Sequence, residues 1–191
     1  TAPPATLALG NWMPSVTAWE GTEHTISHTA NGSFDVEAPN LLVMKAVSVI
    51  TDPVHCTTPD NIGTCTGTAA NFKSIPGSVM RYLVNVSNQG KGPADGNTLA
   101  ITDPIPANSA FVVGSVTFAD GSPTSGLTLT AGDVKYSSTG STTCTDAYPP
   151  TADANGTDPN VTNLCFAPQG SMAGSTGTAP SFSITFKVMI K

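Results

Sequence analysis

The clearest hydrophobic pattern in the chain lies in its last ten residues. Apolar and polar positions alternate there, so Phe182, Ile184, Phe186, Val188 and Ile190 share one face. Successive side chains of a β-strand point to opposite faces of the sheet, and this alternation therefore predicts a half-buried antiparallel strand. We expect its Phe, Ile and Val face to lie in the centre of the core.

Shorter strand patterns recur from residue 41 onward. Residues 79–87 alternate, with Met80, Tyr82, Val84 and Val86 on one face. Further strand patterns occupy residues 41–50, 99–101, 111–118, 127–136 and 164–166. No window shows the apolar stripe of an amphipathic helix, which recurs at i, i+3, i+4 and i+7. Short strands separated by turn signals predict an all-β chain that folds as an antiparallel β-sandwich.

The first part of the chain follows a different pattern. We divide the chain into an extended N-terminal arm, residues 1–40, and a sandwich domain, residues 41–191. The apolar residues that distinguish the arm are Leu7, Leu9, Trp12 and Trp19. They give it more apolar surface than a free tail should expose to water, so we expect the arm to donate a strand to another subunit. In the alternative, the arm folds back on its own domain as extra strands.

The segment from Pro76 to Gly90 carries a family resemblance. Its sequence Pro-Gly-Ser-Val-Met-Arg-Tyr-Leu-Val-Asn-Val-Ser-Asn-Gln-Gly resembles the core motif of the DUF11 repeat family, and the segments 41–45, 102–106, 111–116 and 182–190 look like that family's flanking elements. The resemblance implies an immunoglobulin-like fold on bacterial or archaeal surface proteins, where such domains act as spacers, stalks or wall-associated modules. It implies no catalytic residues. The arm and both cysteine-containing loops depart from the family pattern.

Three turn residues of the motif and its flanking segments have a physical interpretation. Asn88 and Gly90 tolerate the left-handed backbone conformation that a tight turn requires. Asp103 precedes Pro104, and we expect its carboxylate to cap the turn there.

Charge and composition narrow the classes of function. Only 10% of residues are charged, and the net charge is −6 with 7 Lys and Arg. This balance argues against binding to nucleic acid, because phosphate recognition depends on Lys and Arg. No run approaches the ~18 apolar residues that a membrane span needs, so we expect no membrane insertion. Abundant Ser, Thr and Asn are typical of secreted proteins, and the Thr-Ala-Pro-Pro start fits a processed prokaryotic chain at the cell surface.

The four cysteines fall into two local pairs. Cys56 and Cys65 bracket one polar loop, and Cys144 and Cys165 bracket another. Four cysteines allow three pairings, of which we expect the one within each loop, because each bridge then staples a segment that cannot order itself by burial. Disulfides would place the protein in an oxidising compartment.

Signals for catalysis and for metal binding are weak. Gly63-Thr64-Cys65-Thr66-Gly67 imitates a nucleophile elbow, but it lies in a Thr-rich loop without the flanking strand and helix that the elbow needs. His24 and His28 would form a metal pair only on a helix, and in extended chain their side chains lie ~13 Å apart. No Asp-x-Asp-x-Asp-Gly calcium loop occurs. We therefore expect no catalytic residues, no metal and no cofactor, and we do not expect an enzyme.

Two classes of function remain. The first is a structural subunit that polymerises head-to-tail into an extracellular filament or pilus-like fibre. The second is a monomeric cell-surface adhesin or glycan-binding module, for which exposed aromatics such as Trp12, Trp19, Tyr136 and Tyr148 would form the platform. Four sequons are candidate glycosylation sites: Asn31, Asn85, Asn155 and Asn160.

Overall fold

The chain is all-β, and its computed structural model describes residues 10–13, 15–20 and 26–191. The strands are β1 (Gly10–Trp12), β2 (Ser15–Glu20), β3 (Ile26–Asn31), β4 (Phe34–Val36), β5 (Leu41–Thr51), β6 (Val79–Asn88), β7 (Ile101–Pro104), β8 (Ser109–Val112), β9 (Thr117–Asp120), β10 (Val134–Ser137), β11 (Thr157–Asp158), β12 (Asn163–Phe166) and β13 (Ser181–Ile190). The only helical turns in this part of the chain are three 3₁₀ helices of three residues each. The predicted all-β class is confirmed.

Strand β13 lies in the middle of the larger sheet, which follows the order β11-β8-β13-β6-β5. β9 also pairs with β13, beside its first residues. Every strand pair in this sheet is antiparallel. Four of the five residues predicted to share the apolar face of β13 are buried, since Phe182, Ile184, Phe186 and Val188 are each at most 1% exposed, whereas the fifth, the last residue of the strand, is half-buried. The last strand of the chain is therefore the centre of the core, as the alternation predicts.

A smaller sheet of three antiparallel strands, in the order β10-β12-β7, covers the apolar face of the larger one. Phe166 of β12 contacts Phe186 of β13, with ring centroids 6.2 Å apart. Near one side of the sandwich, Tyr136 of β10 packs against Phe111 of β8 at 5.4 Å. Apolar side chains from both sheets merge into one core. The two layers form a β-sandwich, and the finer immunoglobulin-like assignment stays a prediction.

The described part of the arm is a hairpin stem. β1 pairs with β4, from Gly10 opposite Val36 to Trp12 opposite Phe34, and β2 pairs with β3. Across the stem, Thr17 and Thr29 form a hydrogen bond between their hydroxyl oxygens at 2.9 Å. No strand of the stem joins either sheet of the sandwich among the residues that the structure describes.

Asn88 joins the end of β6 to the segment that leads into β5. Its buried side-chain oxygen accepts hydrogen bonds from the backbone N–H of Asn40 and Gly90, and its nitrogen donates to the carbonyls of Gly92 and Ala173. Neither Asn88 nor Gly90 has a positive φ, so the expected left-handed turn is wrong. A Cβ at Gly90 would instead collide with the backbone just before β5. Glycine is required there for close approach of two segments.

The two cysteine loops are closed as the spacing predicts, with Cys56 joined to Cys65 and Cys144 joined to Cys165. The first loop also folds against the outer face of the larger sheet. Lys187 Nζ of β13 lies 2.7 Å from Asp60 Oδ1 in that loop. Each disulfide thus holds a segment rich in polar residues against the sandwich.

Candidate assembly surface

Strand β5 lies at the edge of the larger sheet and is largely exposed. Its one strand neighbour among the described residues is β6. Every residue from Leu41 to Ser48 is exposed, although six of these eight are apolar. Val43 is 55% exposed and Val47 is 52% exposed. An exposed apolar edge strand is uncommon in a folded protein, because its free backbone groups invite pairing with another chain.

The strand has two rows of side chains, which differ in their surroundings. We call Leu41, Val43, Lys45, Val47 and Val49 the core-side row, because they lie opposite the inward-facing residues of β6. Leu41 lies opposite the buried Asn88, and the other four lie opposite Val86, Val84, Tyr82 and Met80, which belong to the core or pack against it. The core-side row therefore extends the apolar inner face of the larger sheet beyond the last strand of the smaller sheet.

The last strand of the smaller sheet on this side is β7. In the described part of the chain β7 pairs with β12 alone, so its other edge has no strand beside it. Lys45 of the core-side row reaches Asp103 of β7, so the row and this free edge lie together along one side of the sandwich. We call this surface the flank groove.

Lys45 and Asp103 bridge the two sheets at the flank groove. Lys45 Nζ lies 2.5 Å from Asp103 Oδ1 and 4.6 Å from the centre of the Tyr82 ring. The Asp103 side chain is 5% exposed, whereas that of Lys45 is 41% exposed. The expectation that Asp103 caps a turn is wrong, because its carboxylate accepts this hydrogen bond from β5 instead. The ion pair fixes the spacing of β5 and β7 and leaves the apolar row on either side of Lys45 uncovered.

The opposite row of β5 forms a smaller apolar patch. Leu42 is 43% exposed and Met44 is 63% exposed, and Leu83 of β6 lies beside them at 37%. The neighbouring outward positions on β6 are Arg81 and Asn85, both exposed and polar. This patch is rimmed by polar groups and is not continuous with the core.

The residues predicted to mediate assembly fall on the arm. Leu7 and Leu9 lie outside the described residues, and so does His24. Trp12 lies on β1 and Trp19 on β2, so the hairpin stem carries both. The assembly role of these four apolar residues stays a prediction.

Two of the aromatic residues proposed for a glycan platform pack within the fold. Tyr136 is half-buried against Phe111, and burial raises the pKa of its phenol. Tyr148 is also half-buried, and its hydroxyl donates a hydrogen bond of 3.0 Å to the Asp158 carboxylate. Neither ring is a freely exposed platform, because each packs against the core. The four sequon residues, Asn31, Asn85, Asn155 and Asn160, are all exposed.

The polar side chains beside the first disulfide hold their own loop in place. Burial raises the pKa of Asp52, but hydrogen bonds from the backbone N–H of Lys73, His55 and Val54 and from the His55 ring outweigh burial and hold that pKa at about 2. The carboxylate is therefore occupied in anchoring its own loop. Cys65, the centre of the elbow-like sequence, is in the disulfide and is not a free thiol.

Two further classes of site are absent from residues 10–13, 15–20 and 26–191. His, Cys, Asp and Glu side chains form no group of three or more there that could hold a metal ion. None of the helices in the same ranges is long and apolar enough to cross a bilayer.

Sequence analysis missed β5 as a functional surface, although a signal was present. Residues 41–44 are Leu-Leu-Val-Met, apolar on both faces of a strand. Such a run indicates a strand whose two faces are both covered, and here neither is covered at Val43 or Met44. The chain matches no protein-family model, no curated protein and no solved structure. The surface must therefore be interpreted from its own geometry.

Proposed function

We propose that this protein is a structural subunit of an extracellular filament or pilus-like fibre, assembled head-to-tail by strand donation from the N-terminal arm. One observation carries the proposal: apart from Lys45 the core-side row of β5 is apolar, it is continuous with the core, and its residues Leu41, Val43 and Val47 are open to solvent. Burying such a row contributes about 25 cal/mol per Å² of apolar area removed from water. A strand from another chain would cover the row and pair a free edge at the same time.

The chemistry of the remaining surface supports a structural role. The two disulfides are the kind of staple that persists in oxidising, extracellular compartments. The buried or half-buried polar groups Asp52, Asp103 and Tyr148 are each hydrogen-bonded within the fold, so they hold loops and sheets in place. A chain that donates a strand at one place and accepts one at another makes a heterologous contact, which propagates into a fibre unless it closes into a ring.

Electron microscopy with light scattering tests the proposal directly. The purified chain is expected to form fibres, or oligomers far heavier than one 19.4 kDa chain. Val47→Asp places a charge on the open apolar row and is expected to abolish assembly without unfolding the monomer. Thr128→Asp is the matched control, because it adds the same charge at an exposed position outside β5. A wild-type chain that stays monomeric at all concentrations would contradict the filament proposal and favour the adhesin alternative.

A further inference from the structure

We infer that the flank groove is the acceptor site, and that residues 5–9 of a second copy of this chain occupy it as a fourth strand of the smaller sheet. The inference rests on the proposed filament function and goes further by assigning the acceptor, the donor segment and the sheet that is extended. The donor would pair with the free edge of β7 and place its apolar side chains on the core-side row of β5.

The groove offers both contacts that an added strand needs. On β7 the N–H and C=O of Thr102 and the C=O of Pro104 face the free edge, because Ile105 donates to Thr162 on the β12 side. Pro104 has no N–H to donate, and none of these outward groups has a strand partner among the described residues. Beneath that edge, Leu41, Val43 and Val47 are between 41% and 55% exposed. Main-chain hydrogen bonds provide affinity in strand addition, and pockets for alternate side chains provide specificity. The larger sheet thus extends one strand beyond the smaller sheet, which leaves space for one more strand.

The sequence of the arm limits which residues can fill that space. Pro3 and Pro4 cannot donate ladder hydrogen bonds, and Gly10 begins the hairpin stem. Residues 5–9 lie between them, and these five residues are long enough to lie along the four residues of β7. Leu7 and Leu9 are two positions apart, so in a strand they share one face about 7 Å from each other. The same spacing separates Leu41 from Val43 on the core-side row.

The hairpin stem favours a second copy as the source of the donor. β1 to β4 pair only with one another in the described chain, so no ladder ties the stem to its own sandwich. Gly10, at the base of the stem, lies opposite Val36, just before β5 begins. The stem is therefore self-paired, and the segment that precedes it in the sequence, residues 5–9, is the part of the arm assigned to the second copy.

A competing geometry would extend the larger sheet at the outer edge of β5. That geometry leaves the core-side row without a strand above it, because a strand added edge to edge lies beside its neighbour and not over its face. Joining β7 places the new strand in the second layer, directly over the row. Only this placement removes the apolar side chains of Val43 and Val47 from water.

Two defective variants of the full chain test the assignment by complementation. The donor-defective variant is Leu7→Asp with Leu9→Asp, and the acceptor-defective variant is Val43→Asp with Val47→Asp. Each alone is expected to be monomeric, because each lacks one half of the contact. A 1:1 mixture is expected to give a particle of twice the 19.4 kDa chain mass and no longer fibres, since one intact donor meets one intact acceptor. The control is Leu42→Asp with Met44→Asp, on the opposite row of β5, which should still assemble.

The outcomes separate this assignment from the filament proposal. If the wild-type chain assembles but the donor-defective variant also assembles, the donor is wrong while the filament stands. If the Leu42 and Met44 control blocks assembly and the acceptor-defective variant does not, the groove is wrong. If both defective variants are monomeric and folded by circular dichroism but their mixture stays monomeric, the arm acts within its own chain and the assignment is overturned. A monomeric wild-type chain would contradict the filament itself.

Discussion

Strands β13 and β5 are both rich in apolar residues and both belong to the larger sheet, yet their environments are opposite. β13 lies between β6 and the pair β8 and β9, with four apolar side chains each at most 1% exposed. β5 lies at the edge, and its first eight residues are all exposed. Hydrophobicity alone does not distinguish the two strands. Their sequence patterns do, because β13 alternates strictly and the start of β5 does not.

The difference shows which apolar surfaces the chain covers with its own residues. The apolar face of β13 is covered by residues of the same chain, such as Phe166 of the smaller sheet. The core-side row of β5 meets that sheet at Lys45, and its residues Leu41, Val43 and Val47 remain between 41% and 55% exposed. Natural edge strands are normally short, charged or covered, and β5 is eleven residues long with one charged residue. The fold is therefore self-sufficient at its centre and incomplete along one side.

The largest expected effect is a difference in the free energy of unfolding between a substitution in β13 and one in β5. Phe186→Ala should lower the free energy of unfolding by about 3–5 kcal/mol, because it removes a large side chain from the middle of a closed core. Val47→Ala should change the stability of the monomer by less than about 0.5 kcal/mol, because that side chain is half exposed. Denaturant unfolding of both variants measures the contrast. Equal losses would mean that β5 is as much a part of the core as β13.

A smaller effect is expected at the ion pair that spans the flank groove. Lys45→Met should cost about 1–3 kcal/mol, because it leaves the Asp103 carboxylate buried without its hydrogen-bond donor. Adding Asp103→Leu to this variant should recover part of the loss, because the double variant no longer buries an unpaired charge. A double-mutant cycle by denaturant unfolding measures the coupling. Strictly additive losses would show that the pair does not link β5 to β7.

The effect of acid should appear in the first disulfide loop. The folded pKa of Asp52, about 2, lies below its ordinary value of 3.8. A depressed pKa stabilises the fold above the ordinary value, and that contribution is lost as the pH falls from about 4 to 2. Asp52→Asn should flatten the dependence of unfolding free energy on pH in this range. An unchanged pH profile would show that the hydrogen bonds to Asp52 do not stabilise the folded state.

The sequence predicts the centre of the fold because local patterns decide it. Alternation at β13 and β6 identifies their buried faces, since each face needs only period-two spacing to be recognised. The two disulfide pairings are likewise local, with partners 9 and 21 residues apart. These features depend on short segments and not on how distant parts of the chain meet.

The rest depends on contacts that no local pattern contains. Asp103 and Lys45 are 58 residues apart in the sequence. The residues next to Asp103, such as Pro104, therefore give no sign that it forms an ion pair. Glycine is required at Gly90 because the segment before β5 passes close to it. The turn that contains Gly90 does not itself require glycine. The exposure of β5 follows from the number of strands in the smaller sheet. An apolar run of that length is equally compatible with a strand covered on both faces.

Hydrogen exchange of the assembled protein against the monomer tests the central claim most directly. The monomeric reference is the acceptor-defective variant, Val43→Asp with Val47→Asp. If a second copy fills the flank groove, the outward-pointing amide of Thr102 in β7 should exchange at least tenfold more slowly in the assembled wild type, while the amides of β13 should be protected in both. If the Thr102 amide exchanges equally fast in the two samples, the flank groove is not the surface through which the subunits join.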